Sequence, residues 1–252
     1  MQMNIQIGNT MRNKFLMILM TCLITLMTGC ASVDNRDPLE GLNRGIYKFN
    51  DVSDKAVFKP IAGAYKAVLP TPVRSGVNNF FSNLNTFITA INQVLQLKFN
   101  KAAESAGRFV INSTLGVAGL FDVASKHGIP QYKEDLGQTL GFWGVGNGAY
   151  LVLPFFGPSS LRDGAGLITE SLTIDPIGYV DDPRMRNILL GTKFIDRRAS
   201  FLPGSDLLDE AALDPYTFMR DAYLQRRANQ VADGEVVVNY EGFEPDNSKP
   251  AK

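Results

Sequence analysis

The residues whose spacing spells out a reaction are Leu26-Met27-Thr28-Gly29-Cys30. An apolar run from Phe15 to Leu26 follows the basic residues Arg12 and Lys14, then gives way to a small-residue pair and a thiol. That order is the layout of a secretory signal whose cleavage would expose a cysteine for acylation. Met27 stands where Leu is usual, and Thr28-Gly29-Cys30 fits otherwise. The reading is lipidation of Cys30; a plain signal cut elsewhere, or an uncleaved anchor with Cys22 and Cys30 paired, are the alternatives. The run is shorter than the ~20 apolar residues a membrane-spanning helix needs. Each buried methylene of an acyl chain contributes about 0.8 kcal/mol, so a multiply acylated Cys30 would hold all that follows at a lipid surface. Residues 1–10 carry no charge, which makes Met11 an alternative start.

Little else in the chain has the spacing of a reactive centre. Beyond Cys30 there is no further cysteine, hence no disulfide, thiolate nucleophile or thiolate metal site. His127 is the only histidine and lies in the turn-like Ser125-Lys126-His127-Gly128-Ile129-Pro130, which excludes a metal centre built on clustered histidines. No Gly-x-Ser-x-Gly elbow, His-Glu-x-x-His helix or phosphate loop occurs. Gly144-Val145-Gly146-Asn147-Gly148-Ala149 meets the loose dinucleotide fingerprint, but it runs into Tyr150-Leu151-Val152-Leu153-Pro154 where that fingerprint requires a helix. No catalytic residue, metal or cofactor is therefore expected. Arg162, Lys193, Arg197 and Arg198 are the basic residues that could guide phosphate head groups, with solvated helix faces as the plainer reading.

Cleavage before Cys30 would remove residues 1–29 of 252 and leave 223, enough for one domain with a full core. Arg12 and Lys14 leave with the signal, so 23 basic and 25 acidic residues remain, a net charge of −2 that argues against a nucleic-acid partner. After Cys30 no apolar run reaches membrane-spanning length, and no extended period-two alternation marks an outer-membrane barrel. Phe, Leu, Val and Tyr are nevertheless abundant, which leaves two covers for the apolar faces, protein core or lipid.

These residues must be carried by helices. Asp37-Pro38-Leu39-Glu40 is a helix start, and Leu39, Leu42, Ile46, Phe49 and Ala56 predict a helix from about Pro38 to Asp54. Thr71-Pro72 opens a second, Asn85 or Thr86 could cap a third bearing Phe87, Ile91, Val94 and Leu97, and a fourth runs from Asn100 until Gly116 and Gly119. Ser160 with Asp163, Asp182-Pro183 and Asp214-Pro215 head later helices. The fold class is mainly α, one helical domain. Glycines 137, 141, 144, 146 and 148, interleaved with Phe142 and Trp143, break the pattern and read either as a β-hairpin on the helices or as a loop that gates an apolar passage. The expected organisation is a signal (1–29), a lipidated tether (30–36), a helical domain (37–230) and a polar, flexible tail (231–252).

Several ordered blocks resemble one family. Asp37-Pro38-Leu39-Glu40-Gly41-Leu42-Asn43-Arg44 with Tyr47-Lys48-Phe49-Asn50-Asp51 is similar to the opening signature of the MlaA/VacJ outer-membrane lipoproteins, save that Leu42 replaces their usual Phe. Arg108 to Gly116, Gly119 to Ala124, Gly137 to Gly141 with Gly144 to Gly148, Leu153 to Pro158 with Leu161-Arg162-Asp163, and Asp214-Pro215-Tyr216 extend the likeness to about Arg227. The resemblance implies a ring-shaped helical lipoprotein in the inner leaflet of the outer membrane, with a central amphipathic channel. Ala31 after the cysteine, in enteric-type lipoproteins, favours sorting to that membrane. The implied task is removal of phospholipids mislocalised to the outer leaflet and their transfer to a periplasmic carrier of the MlaC type, beside a trimeric porin. By the same analogy Gly141, Gly144, Gly146 and Gly148 form a flexible gating loop at the channel, and Tyr47, Phe49 and Asn50 position the first helix and so control how the ring sits in the leaflet, with simple core packing as the alternative. A structural or surface-exposed scaffold lipoprotein and an envelope hydrolase are the competing functions.

Overall fold

Start signals in the sequence set most of the elements. The computed structural model describes residues 37–211 and 213–234, the side chains of 206–211 excepted; Cys30, the segment before it, the 30–36 tether and residues 235–252 lie outside the described residues. In chain order the elements are α1 (Glu40–Ser53), a π-helical turn (Asp54–Phe58), α2 (Lys59–Val68), α3 (Thr71–Leu95), α4 (Phe99–Thr114), α5 (Val123–Lys126) and α6 (Leu136–Phe142). There follow β1 (Tyr150–Leu153), β2 (Gly157–Ser160), α7 (Leu161–Thr173), a 3-10 turn (Pro176–Tyr179), α8 (Pro183–Ala211) and α9 (Pro215–Val231). The fold is mainly α, and the two strands form one antiparallel hairpin that pairs Tyr150 with Ser160 and Leu153 with Gly157.

Capping accounts for where the later helices begin. The Ser160 hydroxyl accepts from the Asp163 N–H, the Asp175 carboxylate from the Ile177 N–H, and the Asp214 carboxylate from the Tyr216 and Thr217 N–H groups. Each such cap stabilises its helix by about 1 kcal/mol. Asp37 departs from the expectation: α1 starts only at Glu40, without a side-chain cap, because the buried Asp37 carboxylate accepts from Asn43 and Tyr216 instead.

Three expected boundaries move. The first helix does not stop at Asp54 but continues through the π turn into α2, and Pro60 falls just past that turn, where the widened backbone spacing accommodates its missing N–H. The second and third helices are one, α3, since Thr86 turns its hydroxyl back to the Ser82 carbonyl at 3.0 Å rather than capping a new helix. The helical unit also runs past residue 230: Val231 ends α9, and Asp233 pairs with Lys98 at 2.7 Å and Lys101 at 3.3 Å.

The apolar core is small. Tyr150 and Val152 of β1 pack against Tyr216 and Tyr223 of α9, with Ile46 and Tyr47 of α1 alongside. The hairpin is thus clasped between the first and last described helices. Next to it α6 crosses α7 backbone to backbone: a Cβ on Gly166 would stand 2.7 Å from the Gly137 nitrogen, so the crossing requires that residue 166 lack a side chain.

Candidate functional site

The long hairpin α3–α4 reverses the usual placement of polar and apolar groups. The buried face of α3 carries Asn83, Thr86, Thr89, Asn92 and Gln93, with Phe81 and Ile88 at its margins. Its exposed face carries Phe87, Val94 and Leu95, and the turn to α4 exposes Leu97 and Phe99. Likewise α4 buries Ser105, Arg108 and Asn112 and exposes Val110. Between the exposed faces runs an open groove of about 460 Å³ walled by Phe87, Val94, Phe99 and Phe109 over a floor of alanines. Among the described residues, fully buried polar and charged side chains outnumber fully buried hydrophobic ones. Water-soluble cores show the opposite.

The polar interior is a connected network. Thr139 donates to Asn92 (2.8 Å), Gln96 to Thr139 (3.0 Å), and Asn92 and the Leu136 N–H to Glu170 (3.2 and 3.0 Å). Burial raises the pKa of Glu170, and the charges of Asp135 and Asp175 add to the shift. Gln93 is fully buried with both side-chain polar atoms unpaired. Beside this network lies an ion cluster, buried at Arg162, Asp163 and Arg227 and reaching the surface at Asp135. Arg227 donates to Asp135 (2.7 Å) and Asp163 (2.7 Å), Tyr223 donates to Asp163, and Arg162 donates to Asp163 at 2.9 Å. Burial alone would raise both carboxylate pKa values; the Arg227 guanidinium overrides it and holds both below the ordinary range.

The first-helix residues are clasped to the hairpin. Asn43 donates to the Tyr150 carbonyl and accepts from the Val152 N–H, both at 2.9 Å; Asn50, two turns on, donates to the Leu153 carbonyl (2.9 Å) and accepts from the Phe155 N–H (2.8 Å). Two carboxamides thereby satisfy the open edge of β1, as a third strand would. Tyr47 packs edge-on to Tyr216 in the core, whereas Phe49 is half exposed against Phe155.

The glycines separate into two groups. Gly144 and Gly148 adopt positive φ (88° and 65°) at the ends of the loop that links α6 to the hairpin, and Gly146 lies between them with open space where a Cβ would stand. Gly141 is a correction: it belongs to helix α6, not to the loop, because the Leu136–Phe142 segment begins at an Asp135 cap and stays helical through it. The basic residues do not converge. Arg162 is in the ion cluster, Lys193 pairs with Asp175 at 3.4 Å, Arg198 grips Asp54 at 2.6 and 2.7 Å, and the pKa of Arg197 is lowered by burial and by nearby Arg226. His127 is exposed at the end of α5. Among the described residues no group of His, Cys, Asp or Glu has the arrangement of a metal site, and no helix is long and apolar enough to cross a membrane.

The buried polar stripe of α3 and the cluster around Arg227 were not singled out from sequence. The stripe had a signal: Asn83, Thr86, Thr89, Gln93 and Gln96 recur at helical spacing on the arc opposite Phe87, Ile91 and Val94.

A helical domain that exposes a continuous apolar face is of the class that binds something through it, whether protein, ligand or lipid. The comparisons with known proteins are more specific. The sequence profile of the MlaA lipoprotein matches residues 35–230. The intermembrane phospholipid transport system lipoprotein MlaA of Escherichia coli K12 is 35% identical over 221 residues, covering 84% of this chain and 87% of the relative. An uncharacterised protein of Rickettsia felis is 38% identical over 203 residues, 81% of this chain and 80% of the relative. A solved structure reported under the words "Structural basis for maintenance of bacterial outer membrane lipid asymmetry" superposes with a TM-score of 0.68 at 34% identity, over 77% of this chain and 98% of that one. The chain belongs to the MlaA lipoprotein family.

Proposed function

We propose that this chain is an outer-membrane lipoprotein that removes phospholipids misplaced in the outer leaflet and passes them to a soluble periplasmic carrier of the MlaC type, so maintaining lipid asymmetry. Family membership supports the task, and the inverted α3–α4 pair is the observation that carries it here: exposed Phe87, Val94, Phe99 and Val110 suit acyl chains, while polar Asn92, Gln93 and Thr139 are turned inward. On this reading residues 1–29 are the signal, Cys30 bears the acyl chains, and 30–36 tether a ring whose polar centre is the channel, held in the inner leaflet beside a trimeric porin. The protein is a conduit rather than an enzyme, and the energy for transport is supplied elsewhere.

The loop glycines Gly144, Gly146 and Gly148 gate the passage, with Gly141 supporting them from α6. Asn50, Tyr47 and Phe49 fix the tilt of α1 in the leaflet by holding it to the hairpin. Proline at Gly146 is expected to change lipid flux while leaving helical content intact; unchanged flux would remove the gating role. The test of the whole reading is the phospholipid content of the outer leaflet in cells lacking the protein. Surface phospholipid should rise, and wild-type but not Cys30→Ala protein should restore it. An unchanged leaflet would leave the scaffold function as the better account.

A further inference from the structure

Arg162 sits at the start of α7 and is 3% exposed, directly beneath the glycine loop. Its Nε donates to Asp163, its Nη1 donates to the Val145 carbonyl at 3.3 Å, and its Nη2 is buried without a partner. The backbone around it is tied to the same loop: the Arg162 N–H donates to the Asn147 carbonyl (3.2 Å) and the Leu161 N–H to the Ala149 carbonyl (3.0 Å). Gly141 explains how a guanidinium fits there. A Cβ at residue 141 would lie 2.8 Å from Arg162 Nη1 and 2.9 Å from both Val231 methyl groups, so the slot that holds the guanidinium exists only because residue 141 lacks a side chain.

Two observations are left unexplained by the loop position in this structure. A buried guanidinium N–H without a partner has lost its hydration with nothing gained in return. Gly146 has no positive φ and meets nothing where a Cβ would be, so neither conformation nor space requires glycine there. One further arrangement of the loop, with a second loop carbonyl on Nη2 and Gly146 in a conformation open only to glycine, would account for both.

We propose that Arg162 is the positioning residue of the 143–149 loop, a catch that holds the loop through Nη1 and keeps Nη2 vacant, and that Gly141 is its seat rather than a hinge. The proposal stands independently of any transport role. Its test is hydrogen exchange of the full-length lipoprotein in detergent, comparing wild type, Arg162→Lys, Gly141→Ala and the double variant. Lysine keeps the charge beside Asp163 but loses the planar fork that reaches Val145. Each single variant should speed exchange in the 143–149 segment at least tenfold while α1, α3 and α4 keep wild-type protection. The double variant should fall short of the sum of the two singles, because much of the alanine's effect passes through the guanidinium it displaces and only the remainder through Val231. Loop exchange unchanged in both single variants would overturn the proposal. So would faster exchange spread evenly over α6 and α7, which marks a merely structural residue, or additive effects in the double variant.

Discussion

The hairpin clasp and the α3–α4 pair are built on opposite principles. In the clasp, Tyr150, Val152, Tyr216 and Tyr223 form an apolar core and Asn43 and Asn50 close a strand edge, as in a water-soluble protein. In the α3–α4 pair most of the buried side chains are polar, and Phe87, Val94, Phe99 and Val110 stand outside. Burial of apolar surface from water stabilises the first region more than the second, whose largest apolar faces are left exposed. The clasp therefore gathers the ends of the domain, and the α3–α4 pair presents the domain to its surroundings.

That contrast can be broken at several points. The largest effect is expected from Arg227→Leu, which strips the buried Asp163 carboxylate of its main cation and should lower unfolding stability by about 3 kcal/mol in a denaturant titration. A related effect follows from pH. Asp135 and Asp163 have folded pKa values below the ordinary range, so the stability they contribute is complete above pH ~4 and is lost as pH falls through the folded values. Acid titration of wild type should show this loss, and Arg227→Leu should flatten it.

Next in size is Asn43→Ala. It leaves Asp37, the Tyr150 carbonyl and the Val152 N–H each short of a partner and should cost about 2 kcal/mol. Asn50→Ala, at a less buried place, should cost about 1 kcal/mol. The smallest change in stability is expected where a conventional core would show the greatest: Val94→Gln with Val110→Gln should stay within about 0.5 kcal/mol, since both side chains are already outside. The same pair should weaken partition into phospholipid vesicles, measured by flotation, and so distinguish an outward face from an idle one.

The helices were legible because their starts are local. Ser160, Asp182 and Asp214 accept with their own side chains from N–H groups of the helices they head, so a few adjacent residues decide the outcome. Asp37 and Thr86 were misleading for the converse reason: Asn43, Tyr216 and the continuing turn of α3 claim their polar groups, and those partners are distant in sequence or shared with the helix. Periodicity marked Phe87, Ile91 and Val94 as one apolar face without saying what covers it, and only packing shows the polar arc turned inward. The Arg227 cluster joins residues from 135 to 227, a combination that no local pattern contains. Gly141 read as a loop glycine because five glycines in twelve residues looked alike; its role follows from Arg162, twenty-one residues later.

The central claim is that the apolar face of α3 and α4 meets acyl chains. The most direct measurement places a single bimane-labelled cysteine at Val94 or Val110, with Lys126 as the control site, in full-length lipoprotein reconstituted into vesicles of bromine-labelled phospholipid. The account predicts strong quenching at 94 and 110 and little at 126. Equal, weak quenching at all three sites would contradict it and return the inverted face to a protein partner.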